Sequence, residues 1–351
     1  MISFTIKSLT PIWSGDIEGK SERLRQTSIV GSLRYFGEAV LRGFDIYVCP
    51  IVYDAKIEDN SVKKCRYKRE EHLSSICTGC YIWGTTNWQR QVRISFDNHS
   101  SISSTNFQDD NRWITEVLGK GSGNFKAIWI SNANMSFIPL NTYNTEDILD
   151  TENYIHLLMK TIKELGHIGA KGRTGFGFVD IEGIDEQKVK KAIHELRSLR
   201  RNIFRDENKS SNIYRILSNI RRFVRLDFKI QDTSKFLGSL SNTFIFRGRP
   251  VMHIPRDINE FYIKKPSGFY IKYFLRKKLK KSYSNMFGST SNGSQLYSSH
   301  IIKEGNTYKF RVIIEFQDGF VDAFIKDIKN TLTQAGCIFE KEVTFDKGVL
   351  S

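Results

Sequence analysis

The stretch Gly166-His167-Ile168-Gly169-Ala170-Lys171-Gly172-Arg173-Thr174-Gly175-Phe176-Gly177 decides how the rest of the chain is read. Its glycines free the backbone for positive φ and for close approach to a ligand, and Lys171, Arg173 and His167 bring positive charge. Upstream, Ile155, Leu158, Met159, Ile162 and Leu165 recur at helical spacing; downstream, Phe176, Phe178 and Asp180 open an alternating run. The stretch is therefore a helix-to-strand loop. It is not a P-loop, which needs Gly-Lys-Ser/Thr at the start of a helix, nor a dinucleotide fingerprint, which follows a strand. Two readings fit it: a cradle for a phosphate backbone, or a glycine turn with incidental charges.

Working outward to the N-terminal side, Ile2, Phe4 and Ile6 alternate as a strand that stops at Thr10-Pro11. Thr27 or Ser28 then caps a helix with Val30, Leu33, Phe36, Val40 and Leu41 on one face. Arg25 and Ser28 stand at its start and Arg34 on its flank, placed either to grip phosphate or to face solvent. A polar insertion over about 45–82 follows, with Cys49, Cys65, Cys77 and Cys80. The last two are spaced Cys-x-x-Cys, which lets both thiolates face one tetrahedral ion and predicts a structural zinc site, with His72 as the alternative to one of the other cysteines. Trp83 to Phe96 places Trp88, Arg90 and Arg93 on or beside a strand, where they can stack bases and bind phosphate or simply pack. Residues 100–124 read as a loop or hairpin, 125–140 as strand, and Thr145 as the opening of the helix that leads into the glycine stretch.

The 351 residues exceed a single typical core, and the formal charge of +15 favours a polyanionic partner. No apolar run has the length of a membrane span, and no signal-peptide pattern opens the chain, so a cytoplasmic protein with no membrane partner is expected. Five unevenly placed cysteines do not suit a secreted disulfide framework.

The second half repeats the first. An arginine-rich helical segment covers 183–222, and Val224, Leu226, Phe228 and Ile230 start a new strand. Pro266-Ser267-Gly268 leading to Lys272 and Arg276 echoes Thr27-Ser28 leading to Arg34, and Phe287-Gly288 echoes Trp83-Gly84. The helix at 320–335 ends at Gly336, where one glycine and Glu340 stand in place of the glycine-rich cationic stretch. A duplicated α+β unit follows: a first domain over 1–182, a basic helical connector over 183–222, and a degenerate second domain over 223–351.

Three stretches, Thr27 to Tyr35, Cys77 to Gly84 and Gly166 to Gly177, taken in this order, resemble the RAMP superfamily of CRISPR-Cas antiviral systems. Within it the resemblance runs to the subunit-one proteins of the Cmr, or type III-B, RNA-targeting effector. It implies two ferredoxin-like (RRM-like) domains in tandem, with the cysteine insertion in the first. It also implies a non-catalytic subunit that binds guide and target RNA near the guide 3′ end and packs against other RAMP subunits, while target slicing belongs to a different, repeated subunit. The RNA-binding residues expected are Arg25, Ser28, Arg34, Trp88, Arg90, Arg93, His167, Gly169, Lys171, Gly172, Arg173, Gly175, Lys272 and Arg276, with Cys49, Cys65, Cys77 and Cys80 on zinc.

Two other functions stay open. His167 beside Lys171 and Arg173 resembles the surroundings of a metal-independent ribonuclease that processes guide RNA, although in such enzymes the His usually follows the first strand, where this chain has Trp13. A purely structural, protein-binding subunit is the third reading.

Overall fold

The computed structural model describes residues 1–14, 24–49, 65–97, 102–108, 124–140, 149–199, 218–246, 249–250, 253–287, 295–316 and 321–351. The first unit runs β1 (Ile2–Ser8), α1 (Gln26–Gly43), α2 (Thr78–Trp83), β2 (Val92–Asp97), β3 (Ile102–Gln108), β4 (Asn124–Ile130), β5 (Ala133–Pro139), α3 (Thr151–Leu165), β6 (Val179–Glu182) and α4 (Glu186–Ser198). The second follows as β7 (Phe223–Ile230), α5 (Thr233–Thr243), the short pair β8 (Ile245–Phe246) and β9 (Arg249–Pro250), α6 (Ile258–Lys264) and α7 (Ser267–Leu279). It closes with β10 (Leu296–Ser298), β11 (Ile302–Glu304), β12 (Thr307–Glu315), α8 (Val321–Gln334) and β13 (Cys337–Thr344).

The first sheet has the order β2-β5-β1-β6 and the second β10-β12-β7-β13, with every neighbouring pair antiparallel. Each is built on the βαββαβ arrangement in which two helices cross one face of a four-stranded sheet, with β11 added beside β12 as a fifth strand in the second, so the chain is a tandem of ferredoxin-like α+β units. In the first unit β3 and β4 form an added hairpin between β2 and β5, and α2 with the cysteines is added between α1 and β2. Residues 50–64 of the expected insertion and Arg200, Arg201, Arg205 and Arg215 of the arginine run lie outside the described residues.

Strand alternation sets the layers. Phe4, Ile6, Ile94, Met135, Phe137 and Ile181 are buried under α1 and α3. The opposite face of this sheet presents Ser3, Thr5, Lys7, Arg93, Asn134 and Glu182, and carries no aromatic ring among the described residues. Alternation fails on β12, where Val312, Ile313 and Ile314 are all buried, because the second sheet is covered on both faces. Its far face packs on α7 and α8, and its near face sends Phe223, Tyr297, Ile313 and Val343 into the core of the first unit. Phe36 of α1 meets Phe223 with ring centroids 6.2 Å apart, and the buried Arg225 donates to Glu164 of α3. The helices of the first unit are thus held between the two sheets.

Helix α3 begins at Thr151, where Asp150 accepts from the amides of Glu152 and Asn153, and the expected helix opening at Thr145 falls outside the described residues. Residues 141–148 lie outside the described residues. Asp185, Asp232 and Asp257 cap α4, α5 and α6 in the same way. Helix α4 seats Val189, Ala192, Ile193 and Leu196 in the first core.

Candidate nucleic-acid interface and cysteine centre

The glycine stretch links α3 to β6 and is tied at its base to the exit of β1. Ala170 N donates to Trp13 O, Gly177 N to Pro11 O and Ile168 N to Gly177 O, each at 2.8 Å, and Gly169 N donates to Ser32 Oγ of α1 at 3.0 Å. At its tip Lys171 takes a left-handed φ of 61°, followed by a tight turn over Gly172–Thr174. Holding a lysine there costs backbone energy, which places the strain where Lys171 and Arg173 are presented.

This loop lies against the second unit. His300 N donates to Gly175 O at 3.1 Å, and a side chain at 175 would press on Ser298 O and Gly268. Lys272 of α7 directs Nζ to Arg173 O at 3.4 Å, and Arg173 pairs with Glu315 of β12 at 3.4 Å while its side chain stays 44% exposed. Burial, Arg173 and Arg276 together push the Lys272 ammonium down to about 8. Lys171 sits 5.9 Å from the Trp13 ring centre. Lys171, Arg173, Lys272 and Arg276, drawn from both units, therefore form one cationic patch.

Two helices start beside it. Helix α1 follows Arg25 and α7 follows Pro266, and neither has a side-chain cap or an acid in its first turn, unlike the four Asp-capped helices. Helix α1 begins at Gln26, one turn earlier than a Ser28 cap implies, which leaves Ser28 inside the first turn with its hydroxyl buried and unpartnered. The start of α7 is held instead by His300, whose Nδ1 accepts from Gly268 N at 3.2 Å.

Other expected contacts are placed elsewhere. Trp88 is 7% exposed, donates from Nε1 to Tyr81 O at 2.9 Å and packs on Tyr67. Arg93 lies on the outward face of β2, with the half-buried Arg90 ahead of that strand. Arg34 turns away from the loop toward the cysteines. His167 is enclosed by Phe36, Phe178 and Tyr297, with its Nδ1 sealed from solvent and its ring directly over the Cα of Gly172. Burial, reinforced by Arg173, lowers it to about 4, so it is neutral at pH 7. Such an imidazole fills the space beneath the loop.

His300, missed in the sequence because an isolated loop histidine carries no pattern, is the polar pin of the junction. It is 3% exposed, lies between Phe107 and Phe176, and accepts at Nδ1 from Gly268 N at 3.2 Å. Burial lowers it to about 3. An unfolded histidine takes its proton near pH 6.5, so the stability this neutral ring contributes is complete above about 6.5 and lost as pH falls toward 3, by about 1.4 kcal/mol per pH unit. Thermal unfolding between pH 7 and 5 is expected to show that loss. His300→Asn, which keeps the acceptor for Gly268, should reduce that slope and leave the share carried by the likewise neutral His167, and an unchanged pH slope would show that the proton goes elsewhere.

The Sγ atoms of Cys49, Cys65, Cys77 and Cys80 all lie within 4.8 Å of one another, and all four residues are buried. Cys77 precedes α2 and Cys80 lies in its first turn, while Cys49 and Cys65 stand on either side of residues 50–64. Backbone amides point at the sulfurs: Cys49 N and Cys80 N to Cys77 Sγ at 3.3 and 3.5 Å, and Cys77 N to Cys65 Sγ at 3.3 Å. His72 is exposed and outside the group. Four convergent soft donors with amide support can bind a metal ion.

The fold and the loop define a class, tandem ferredoxin-like proteins with a glycine-rich turn after the second helix of the first unit. The model of the RAMP superfamily matches residues 5–180, and the chain belongs to that superfamily. Among solved structures it is similar to apo Cmr1 from Pyrococcus furiosus, at 15% identity over 91% of this chain and 88% of that one, with a TM-score of 0.42. It is also similar to a chain of the type III-B Cmr-beta complex bound to cognate target RNA, at 12% identity, 95% and 98% coverage and a TM-score of 0.45. A third likeness is to that complex with AMPPnP and single-stranded DNA, at 14% identity, the same coverage and a TM-score of 0.44. No protein of curated function matches the chain in sequence. No helix among the described residues is long and apolar enough to cross a membrane.

Proposed function

We propose that this protein is a non-catalytic RNA-binding subunit of a type III-B CRISPR RNA-targeting effector, corresponding to subunit one, and that it works in the cytoplasm. It holds guide and target RNA near the guide 3′ end and packs against other RAMP subunits. The observation that carries the reading is the convergence of Lys171, Arg173, Lys272 and Arg276, drawn from both units, on one patch. Phosphates suit this arrangement, because several point charges converge on one face. The ordered motifs from Arg25 to Gly177 supply the family context. Arg90 and Arg93 form a second basic contact on the outward face, and Trp88 supports the fold beneath it. In this reading the first domain covers 1–182 and the second 223–351, joined by the basic connector 183–222.

The test is the binding of single-stranded guide-length RNA by the full chain across a salt series. Affinity should fall steeply with salt and depend on the patch; salt-independent binding, or assembly with other subunits that is indifferent to RNA, would favour a purely structural subunit.

The reading includes a structural zinc ion on Cys49, Cys65, Cys77 and Cys80, because four buried thiolates close a tetrahedral site and leave no position for chemistry. Purified protein should carry close to one equivalent of zinc by elemental analysis, and chelation should lower its unfolding temperature. Metal-free protein of unchanged stability would remove the ion from the scheme.

A further inference from the structure

We infer that Arg34 is the counter-cation of the cysteine centre, a positioning residue for its metal rather than a contact for RNA; this rests on the reading that the four cysteines take a divalent ion. A divalent ion on four thiolates keeps two excess negative charges, and burying them is costly unless donors surround the sulfurs. Three backbone amides do part of this. Among the described residues the cation that reaches the cluster is Arg34, whose Nη2 lies 3.9 Å from Cys80 Sγ.

The rest of that guanidinium is fixed. Nε donates to Glu38 at 2.7 Å one helical turn on, and Nη1 donates to Gly84 O at 3.3 Å, just past the end of α2. Arg34 thus joins α1 to both ends of the short helix that bears Cys80. Glu38 in turn accepts from Arg42 at 3.2 Å, and Arg42 reaches Ser218 O at 3.1 Å. The charge facing the thiolates is therefore the first link of a buried chain Arg34-Glu38-Arg42 that ends where the second unit begins. A planar fork can make these bonds simultaneously, whereas an ammonium cannot. With its donors so committed and its side chain only 25% exposed, Arg34 has little to offer a phosphate.

The test titrates the full-length protein with Co(II) and Zn(II) against a chromophoric chelator. Wild type is expected to take one ion with the ligand-field and thiolate charge-transfer bands of a tetrahedral sulfur site. Arg34→Met should bind it about ten- to a hundredfold more weakly, the usual loss when a group supporting the ligands is removed. Arg34→Lys, which keeps charge and stem, is expected to fold and to fall between the two, and it decides the matter if the methionine variant does not fold. The salt slope of RNA binding should match wild type in both variants. Equal metal affinity in wild type and variants, or a reduced RNA salt slope with metal affinity intact, would overturn the assignment of Arg34. A wild type that takes up no ion would instead overturn the metal reading beneath it.

Discussion

Replacing Lys171, Arg173 and Lys272 together with alanine is expected to weaken RNA binding on the order of a hundredfold at 0.1 M salt and to flatten its salt dependence. Each cation that neutralises a phosphate of a single strand releases a counterion and adds about 0.7 to the slope of log affinity against log salt, so losing three should lower that slope by about 2. The three groups stand on one patch, with Lys272 Nζ at 3.4 Å from Arg173 O, so a single strand can cover all of them. Misfolding is a poor alternative explanation for the loss. Lys171 and Arg173 are exposed, the Arg173 pair with Glu315 is a part-exposed ion pair worth under about 1 kcal/mol, and the unfolding midpoint should barely move. Arg90→Ala with Arg93→Ala serves as the comparison, since these sit away from the loop and should remove a smaller part of the slope. If the triple variant keeps the full slope, the patch is not where phosphates lie.

How far these features were legible in the sequence follows from how local each one is. The helices before the glycine stretch and after Asp185 are visible because apolar residues recur at helical spacing in each. The alternation at Ile2, Phe4 and Ile6 gave the first strand for the same reason. The four cysteines are legible as a set because a Cys-x-x-Cys spacing implies a shared ion, although only the fold shows that Cys49 rather than His72 completes it. What failed to show was contact between the two units. Arg173 and Lys272 are 99 residues apart, and their meeting depends on the second sheet lying across α1 and α3. One sequence signal for that arrangement exists: Val312-Ile313-Ile314 breaks alternation, as a strand buried on both faces must. Arg34 and Trp88 were ambiguous for a different physical reason. An arginine on a helix flank or a tryptophan beside arginines has the same local pattern whether it faces a ligand or the interior, and the difference lies in partners such as Cys80 and Tyr81 that the helix and strand bring up from elsewhere.

The glycine stretch itself is tested most severely at Gly177. Its φ of 82° lies in the left-handed region, which costs a side-chain-bearing residue about 1–2 kcal/mol. A Cβ there would also collide with the carbonyl oxygen of Ile168, a backbone atom that cannot swing aside, because Ile168 N is bonded to Gly177 O at 2.8 Å. Relief requires the strand entry to move, which would break Gly177 N to Pro11 O and loosen the tie between the loop and the exit of β1. Adding the lost backbone bonds to the torsional cost, Gly177→Ala should destabilise the first unit by about 3–5 kcal/mol in urea unfolding. Gly31, on the exposed face of α1 with nothing within 4 Å of an added Cβ, should do the reverse and gain about 0.5–1 kcal/mol as alanine. Because the same shift would carry Lys171 and Arg173 away from Lys272, Gly177→Ala should also lose RNA affinity under conditions where the protein is still folded. A Gly177→Ala protein as stable as wild type would mean that the tight crossing of Ile168 and Gly177 is not how the loop is built.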